Sequence, residues 1–346
     1  MYPITTLLTK WQRRVAGTSY AQPPVYTGPN VAIGRFTEHS GEVQAGDCFV
    51  ARVRTGTDGH PYIADAIARG ASLILAQRPS AELGLTIPPE VGYLLVEDTA
   101  EALAWLSAAY YDFPSERMTV IGVTGTDGKT TTSTLLYEIL VAAGHKTGMI
   151  STIKAVMGDR EEPTGLHVST PEAPEVQRYL HQMAEAGLTH CVLETTSHGL
   201  AQHRVTAVDY NVAVVTNITH EHLDYHGSYE GYLAAKRRLF EMVTQAAEHD
   251  LAPTLRALVL NKDDQSFASL TAVPLANQLH YAIYQPAHVL AVRPEYGARE
   301  TQFMLEIAGG AGGQRGREAE ERRSGGAIRN PQSAIRNPAL RAGGRI

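Results

Sequence analysis

Cysteine is nearly absent from this chain. Cys48 and Cys191 are the only two, and they stand far apart. That excludes a disulfide framework and a thiolate metal-binding spacing, and it agrees with a reducing compartment. Cys191 lies inside an apolar run and reads as core. Long hydrophobic runs are missing as well: no stretch approaches roughly 18 apolar residues, the length of a membrane span. Met1 to Arg14 ends in basic residues with no apolar core behind them, so no signal peptide is expected. Positive charge is not in excess. The formal net charge of −6 gives no reason to expect nucleic acid or an anionic membrane surface as partner. These absences lead to the expectation of a cytoplasmic, monomeric protein acting on small molecules.

What is present is ordinary for a folded domain protein: 346 residues, 43% hydrophobic and 19% charged, enough for two or three domains. Residues 1–112 read as a first α/β unit, with strands at 47–51, 71–76 and 91–96 and helices at 62–69 and 99–111. Residues 114–117 are polar and read as a linker. From 118 strands and helices alternate, with strands at 118–123, 147–151, 190–194, 211–216, 257–261 and 279–284 and helices at 128–143, 173–186 and 229–245. Such alternation predicts a mostly parallel sheet with helices on both faces, and ligands at the carboxyl ends of its strands. A last segment of this unit is expected at 301–307. Residues 309–346 differ: Gly-rich, then arginine-rich, with Ala327 to Pro331 repeated as Ala334 to Pro338. They cannot bury a core and read as a disordered tail, a non-native end where the reading frame leaves the gene.

The stretch from Val120 to Thr132 carries the strongest chemical signal. An apolar run leads into a turn with Gly125 and Gly128, then Lys129 and three threonines. Gly residues let backbone approach phosphate oxygens, and a helix N-terminus offers unpaired N–H groups. Lys129 would add charge on the β/γ-phosphates and the Thr130 hydroxyl would suit Mg²⁺. The strict phosphate-loop pattern needs glycine at the position of Val123, so a plain Gly-rich turn stays open. Glu194, ending an apolar strand, is a second candidate for Mg²⁺, or a carboxylate facing water. His220, His222 and His226 within seven residues suggest either zinc or one histidine on a second Mg²⁺. Lys236, beside Arg237 and Arg238, reads as part of a basic helix face.

Six motifs taken in order resemble the Mur ligases, in the third-residue-adding branch (MurE type): Gly122 to Thr131, Ser169 to Ala173, Glu194 to Leu200, Gln202 to Arg204, Thr216 to Gly227 and Tyr232 to Phe240. The resemblance spans roughly residues 25–307. It implies an N-terminal UDP-substrate domain (1–112) and a central P-loop ATPase-like domain (113–308), followed by the tail. It implies ATP held by Thr124, Gly125, Thr126, Asp127, Gly128, Lys129, Thr130 and Thr131, with Asn217 and Asn261 nearby. Mg²⁺ would be held by Thr130, Glu194, His222 and Lys236, the last carbamylated by CO₂. UDP-N-acetylmuramoyl-dipeptide would be held by Ser40, Thr170, Ser197, Gln202 and Arg204. Lys129, Glu194, His222 and Lys236 would be catalytic. The implied reaction joins a free amino acid to the dipeptide through an acyl phosphate; lysine, diaminopimelate and ornithine all remain open as that amino acid.

Some positions depart from the family pattern. Its uridine-side Asp-Ser-Arg triplet aligns with His39, Ser40 and Gly41, keeping only the serine. His220 and Glu221 replace Arg-Asp before His222. The third family domain, which binds the incoming amino acid, has no counterpart here, so the expectation is weak ATP binding at best and no ligation. A non-catalytic UDP-sugar-binding module, a sister ligase of the cyanophycin or folylpolyglutamate type and a zinc protein are the alternatives.

Overall fold

The computed structural model describes residues 1–54, 56–164, 170–245, 255–297, 300–308 and 325–329. A short strand Tyr2–Pro3 leads into the first helix, Ile4–Val15, which buries Ile4, Leu7, Leu8, Trp11 and Val15. That spacing is one face of a helix. The face lies on the helix Thr99–Tyr110, where Trp11 stacks on Trp105 with ring centroids 6.4 Å apart. The Asp98 carboxylate caps this second helix, accepting from the amides of Ala100 and Glu101, and so meets two of the donors that a helix start leaves unpaired. Four parallel strands complete the unit in the order Phe36–Thr37, Cys48–Val50, Leu73–Ala76 and Gly92–Leu95. Their side chains alternate between two cores. Cys48, Val50, Leu73 and Leu75 meet the two helices, while Phe49, Ile74 and Ala76 meet Ile63 and Ala66 of the helix Ile63–Ala68, as a period of two requires.

The two units are packed together. Ala173 and Ala207 of the second unit join the helical core of the first. The segment read as a linker, Pro114–Arg117, is a 3₁₀ turn with Pro114 and Ser115 buried. The Ser115 hydroxyl accepts from the amide of Asp209 at 3.0 Å.

Among the described residues the second unit is an eleven-stranded sheet. Seven strands run parallel, in the order Thr147–Ile150, His190–Glu194, Thr119–Thr124, Val212–Val215, Ala257–Asn261, Gln278–Ala282 and Val289–Tyr296. Antiparallel strands extend both edges: Lys154–Met157 and Arg160–Pro163 on one side, Glu300–Ile307 and Gly325–Arg329 on the other. Gly325–Arg329 is the described part of the stretch expected to be a disordered tail; the rest of 309–346 lies outside the described residues. The helices Ala173–Glu185 and Tyr229–Thr244 cover one face, on Val120, Leu193, Val215 and Leu258. The helix Lys129–Ala142 covers the other, over Val123, Val192 and Val214.

Gly122 sets how closely the first of these layers sits. A Cβ there would lie 2.7 Å from Leu239 Cδ1 and from the Tyr210 ring. The helix Tyr229–Thr244 therefore rests against the strand at a distance only glycine permits. Gly122→Ala should destabilise the fold by about 1–3 kcal/mol, the usual cost of overpacking a close-packed interior, read as a lower midpoint in urea unfolding with unchanged slope.

Candidate active site

The strand register builds the site. Glu194 pairs with Val123 and Val215 with Thr124, while Ile150 pairs with Leu193. Four parallel strands thus end at one level, and the residues just beyond them meet: Gly125 to Gly128, Thr195 to Ser197, Thr216 to Asn217 and Ser151 to Thr152. The carboxyl ends of parallel strands are where open α/β sheets take their ligands.

The loop between Thr124 and Lys129 is shaped by glycine and stapled by asparagine. Gly125 and Gly128 have φ of +154° and +78°, and a Cβ on Gly125 would run into the Thr216 hydroxyl. The Asn217 carbonyl accepts from the Thr126 amide at 2.7 Å, and its side chain bridges the Asp127 amide (3.1 Å) and carbonyl (3.2 Å). The Thr216 hydroxyl donates to the same carbonyl at 2.6 Å. The helix Lys129–Ala142 that follows has no side-chain cap, so its first amides are left for an anion. Lys129 folds back to the Thr126 carbonyl at 2.7 Å. Thr124 is buried and Thr131 exposed on the first helical turn. Asn261 supports the loop from below, donating to the Thr216 carbonyl at 2.8 Å.

Beside the loop, Glu194 is 1% exposed. Its oxygens accept from the Thr130 hydroxyl, 3.0 Å from each, and from the Thr152 amide (3.0 Å) and hydroxyl (2.9 Å). A carboxylate and two hydroxyls are hard oxygen donors, a set that fits Mg²⁺. Lys236 is also 1% exposed. Its ammonium donates to the Gly125 carbonyl at 2.6 Å and lies 4.5 Å from the Tyr232 ring centroid. Burial, with the Lys129 charge adding to it, lowers its pKa to about 7, against a smaller opposing pull from Glu221. The Tyr232 hydroxyl joins the Thr126 hydroxyl (3.1 Å) to the Glu221 carboxylate (3.2 Å).

The residues expected to hold metal form two groups. Thr130 and Glu194 touch; His222 and Lys236 meet around Tyr232, whose ring is 6.4 Å from that of His222. His222 has a left-handed backbone, φ +55°, and its ring packs on His198 at 4.6 Å. His226 also faces His198, at 5.5 Å, whereas His220 turns to Tyr229, at 5.1 Å. The three clustered histidines therefore do not converge. Among the described residues no group of three or more His, Cys, Asp or Glu could hold a metal, so the zinc alternative finds no support. Burial, reinforced by His198 and Lys236, lowers the His226 pKa to about 4.

The residues expected to hold the second substrate lie toward the first unit. Thr170 is buried, its hydroxyl 3.2 Å from the Glu194 carbonyl and 3.0 Å from the Thr196 hydroxyl. Arg204 donates to the Thr170 carbonyl and to the Gln202 side chain, both at 2.7 Å, and pairs with Glu172 at 3.1 Å. Ser197 is buried at the start of the short helix Ser197–Ala201. Ser40 is apart from these, beside Asp65, whose pKa its hydroxyl helps to lower. Ser169 lies outside the described residues. Sequence reading missed Thr152, Tyr232 and Glu221. Thr152 could have been found, because it follows the end of a parallel strand.

The family follows from comparison with known proteins. A family model described as the Mur ligase middle domain matches residues 123–311, and the chain belongs to the Mur ligase family. It is 40% identical over 274 residues to the UDP-N-acetylmuramyl-tripeptide synthetase of Roseiflexus sp. (strain RS-1), covering 78% of this chain and 52% of that one. It is 38% identical over 284 residues to the UDP-N-acetylmuramoyl-L-alanyl-D-glutamate--2,6-diaminopimelate ligase of Geobacillus kaustophilus (strain HTA426), covering 81% and 55%. The chain thus spans about half the length of the curated relatives it matches. A solved structure of a UDP-N-acetylmuramoyl-L-alanyl-D-glutamate--2,6-diaminopimelate ligase superposes with a TM-score of 0.65 at 26% identity, over 79% of this chain and 53% of that one. A MurF structure from Acinetobacter baumannii shares the fold, with a TM-score of 0.55 at 21% identity over 87% and 58%. Among the described residues no helix is long and apolar enough to cross a membrane.

The buried lysine gives a pH-dependent prediction. Its folded pKa of about 7 lies below the ordinary lysine value of 10.5, so between these values the unfolded chain binds more protons and stability rises with pH. In CO₂-free buffer Lys236→Met should melt higher than the parent at pH 7, and the difference should shrink as the pH approaches 10.

Proposed function

We propose that this chain is the nucleotide- and acceptor-binding part of an ATP-dependent amide ligase that adds a third amino acid to UDP-N-acetylmuramoyl-L-Ala-D-Glu. The names of the relatives support that substrate. The observation that carries the reading is the convergence of an uncapped helix start, Lys129, Glu194 and a buried Lys236 at the ends of adjacent strands. In this reading the amides of Gly128 to Thr131 and the Lys129 ammonium hold the ATP phosphates. Thr130, Glu194, His222 and a modified Lys236 would hold Mg²⁺, which when bound offsets the charge on the phosphates. The D-glutamyl carboxylate attacks the γ-phosphorus, giving an acyl phosphate and ADP. The amine of the incoming amino acid then displaces phosphate, forming the amide bond. Thr170, Ser197, Gln202 and Arg204 orient the acceptor so that its carboxylate faces the γ-phosphate.

Lys236 suits carbamylation because only a neutral amine attacks CO₂, releasing one proton as the carbamate forms. With a pKa of about 7, a large share of this lysine is neutral at physiological pH. The change turns a buried cation into an anion that can share a metal with oxygen donors.

Titration with a fluorescent ATP analogue in Mg²⁺, with and without UDP-N-acetylmuramoyl-L-Ala-D-Glu, tests the reading. Lys129→Ala should weaken ATP binding by about tenfold or more, the loss of charge-assisted bonds to phosphate. The dipeptide should bind more tightly than UDP-N-acetylglucosamine. Equal affinity for the two UDP-sugars would refute the assignment of the acceptor. A carbamate signal from ¹³C-labelled bicarbonate that vanishes in Lys236→Met checks the modification, and phosphate release with lysine, diaminopimelate or ornithine tests turnover.

A further inference from the structure

The helix Lys129–Ala142 and the strand His190–Glu194 meet at the phosphate end through Thr130 and Glu194. They meet again at the opposite end, through two histidines. Gly144 ends the helix in a left-handed turn, φ +87°, and the His145 amide closes it on the Leu140 carbonyl at 3.0 Å, as helix ends commonly do. His190 opens the strand, paired with Thr147 of the neighbouring strand. It shares a sheet face with Val192 and Glu194, because side chains alternate with a period of two. That face is the one the helix covers. The Lys146 carbonyl accepts from the Thr189 and His190 amides, at 2.8 and 3.1 Å, so the backbones carrying the two rings are fixed to each other. The ring centroids lie 4.5 Å apart, tilted by 52°.

The bonding of His190 decides which of its nitrogens is free. The Thr189 hydroxyl donates to the Lys146 carbonyl at 3.3 Å and lies 2.9 Å from His190 Nδ1. With its one proton engaged, that oxygen accepts, so Nδ1 carries the proton and Nε2 the lone pair. Among the described residues no hydrogen bond engages His190 Nε2 or the His145 ring. His190 is half-buried, and burial, with His145 adding to it, lowers its pKa; neutral imidazole is the ligating form. His145 is exposed and can turn a nitrogen toward its neighbour. His280 and His288, 4.8 Å apart, lack this arrangement. There His288 Nδ1 accepts from the His280 amide at 2.9 Å, which leaves the proton of the neutral ring on Nε2.

We propose that His145 and His190 form an exchangeable two-histidine site for a divalent transition-metal ion, which clamps the helix Lys129–Ala142 to the strand His190–Glu194 at the end opposite the phosphate loop. Imidazole nitrogen suits Zn²⁺, Cu²⁺ and Ni²⁺ rather than Mg²⁺ or Ca²⁺. With metal–nitrogen bonds of about 2.0–2.1 Å, two imidazoles on one ion place their ring centroids roughly 4.5–5 Å apart, the separation found here. Thr189 is the outer partner that holds a ligating histidine in its tautomer. The carbonyl end of the helix adds partial negative charge beside the ion. With two protein ligands, water completes the shell, so the ion binds reversibly rather than as a built-in structural metal. The site is distinct from the Thr130 and Glu194 pair, whose oxygen donors suit Mg²⁺.

Calorimetric titration of the full chain with Zn²⁺, in excess Mg²⁺ to occupy the oxygen site, tests the proposal. The parent should bind Zn²⁺ with micromolar affinity and melt at a higher temperature in its presence. His145→Ala and His190→Gln should each take up one equivalent fewer at micromolar Zn²⁺, the affinity of the site having fallen by at least about tenfold, and should lose the rise in melting temperature. Counting equivalents separates this site from the histidines of the catalytic region, which both variants retain. Metal-free melting close to that of the parent shows that a variant is folded; if His190→Gln is not, His145→Ala, at an exposed position, decides alone. Unchanged stoichiometry in His145→Ala places the ion elsewhere and overturns the proposal. Uptake by the parent only at millimolar Zn²⁺ also overturns it, as the mark of an adventitious ion only.

Discussion

The constraint on which the site depends is the register of the strand Thr119–Thr124 against its two parallel neighbours. Pairing of Glu194 with Val123 and of Val215 with Thr124 ends three strands at one height. Each loop then begins with its first polar residue facing the same space. A slip of one residue would turn Glu194 to the opposite face of the sheet. Gly122 adds the third dimension. By admitting Leu239 so closely, it lets Lys236, one helical turn earlier, reach the Gly125 carbonyl.

Lys236 also shows what the arrangement costs. A buried ammonium held by one carbonyl and one aromatic face is poorly compensated, and its pKa falls to about 7. The surrounding structure has to stabilise a group that weakens it. The asparagine staple of Asn217 and the Tyr232 hydroxyl do so locally, tying the loop to two neighbouring segments. Backbone that only glycine adopts freely, at Gly125 and Gly128, and a strained left-handed backbone at His222 are gathered in the same place, as at sites built for function rather than stability.

Much of this was legible in the sequence. Alternating apolar runs gave the parallel sheet, and the motif order gave the family. The Gly-Lys-Thr turn lies at a helix start as expected. Other features were legible yet unread. Ile4, Leu7, Leu8, Trp11 and Val15 carry the spacing of a buried helix face, but the charged end of that segment drew attention to targeting instead. The remainder was not legible at all. His145 and His190 are far apart in the chain and carry no local pattern; only the docking of a helix end on a strand brings them together. The divergence of His220 from His222 likewise follows from a left-handed backbone at His222, which spacing alone does not reveal.

Each unit also carries its own thiol. Cys48 lies in the first sheet and Cys191 in the second, both fully buried, and burial raises their pKa values, that of Cys191 to about 12. A protonated, enclosed thiol is inert toward alkylating reagents. The scarcity of cysteine thus leaves one silent chemical witness in the core of each half. Each can speak only when its own strands part, so the order in which the two halves open is written into the order in which the thiols become reactive.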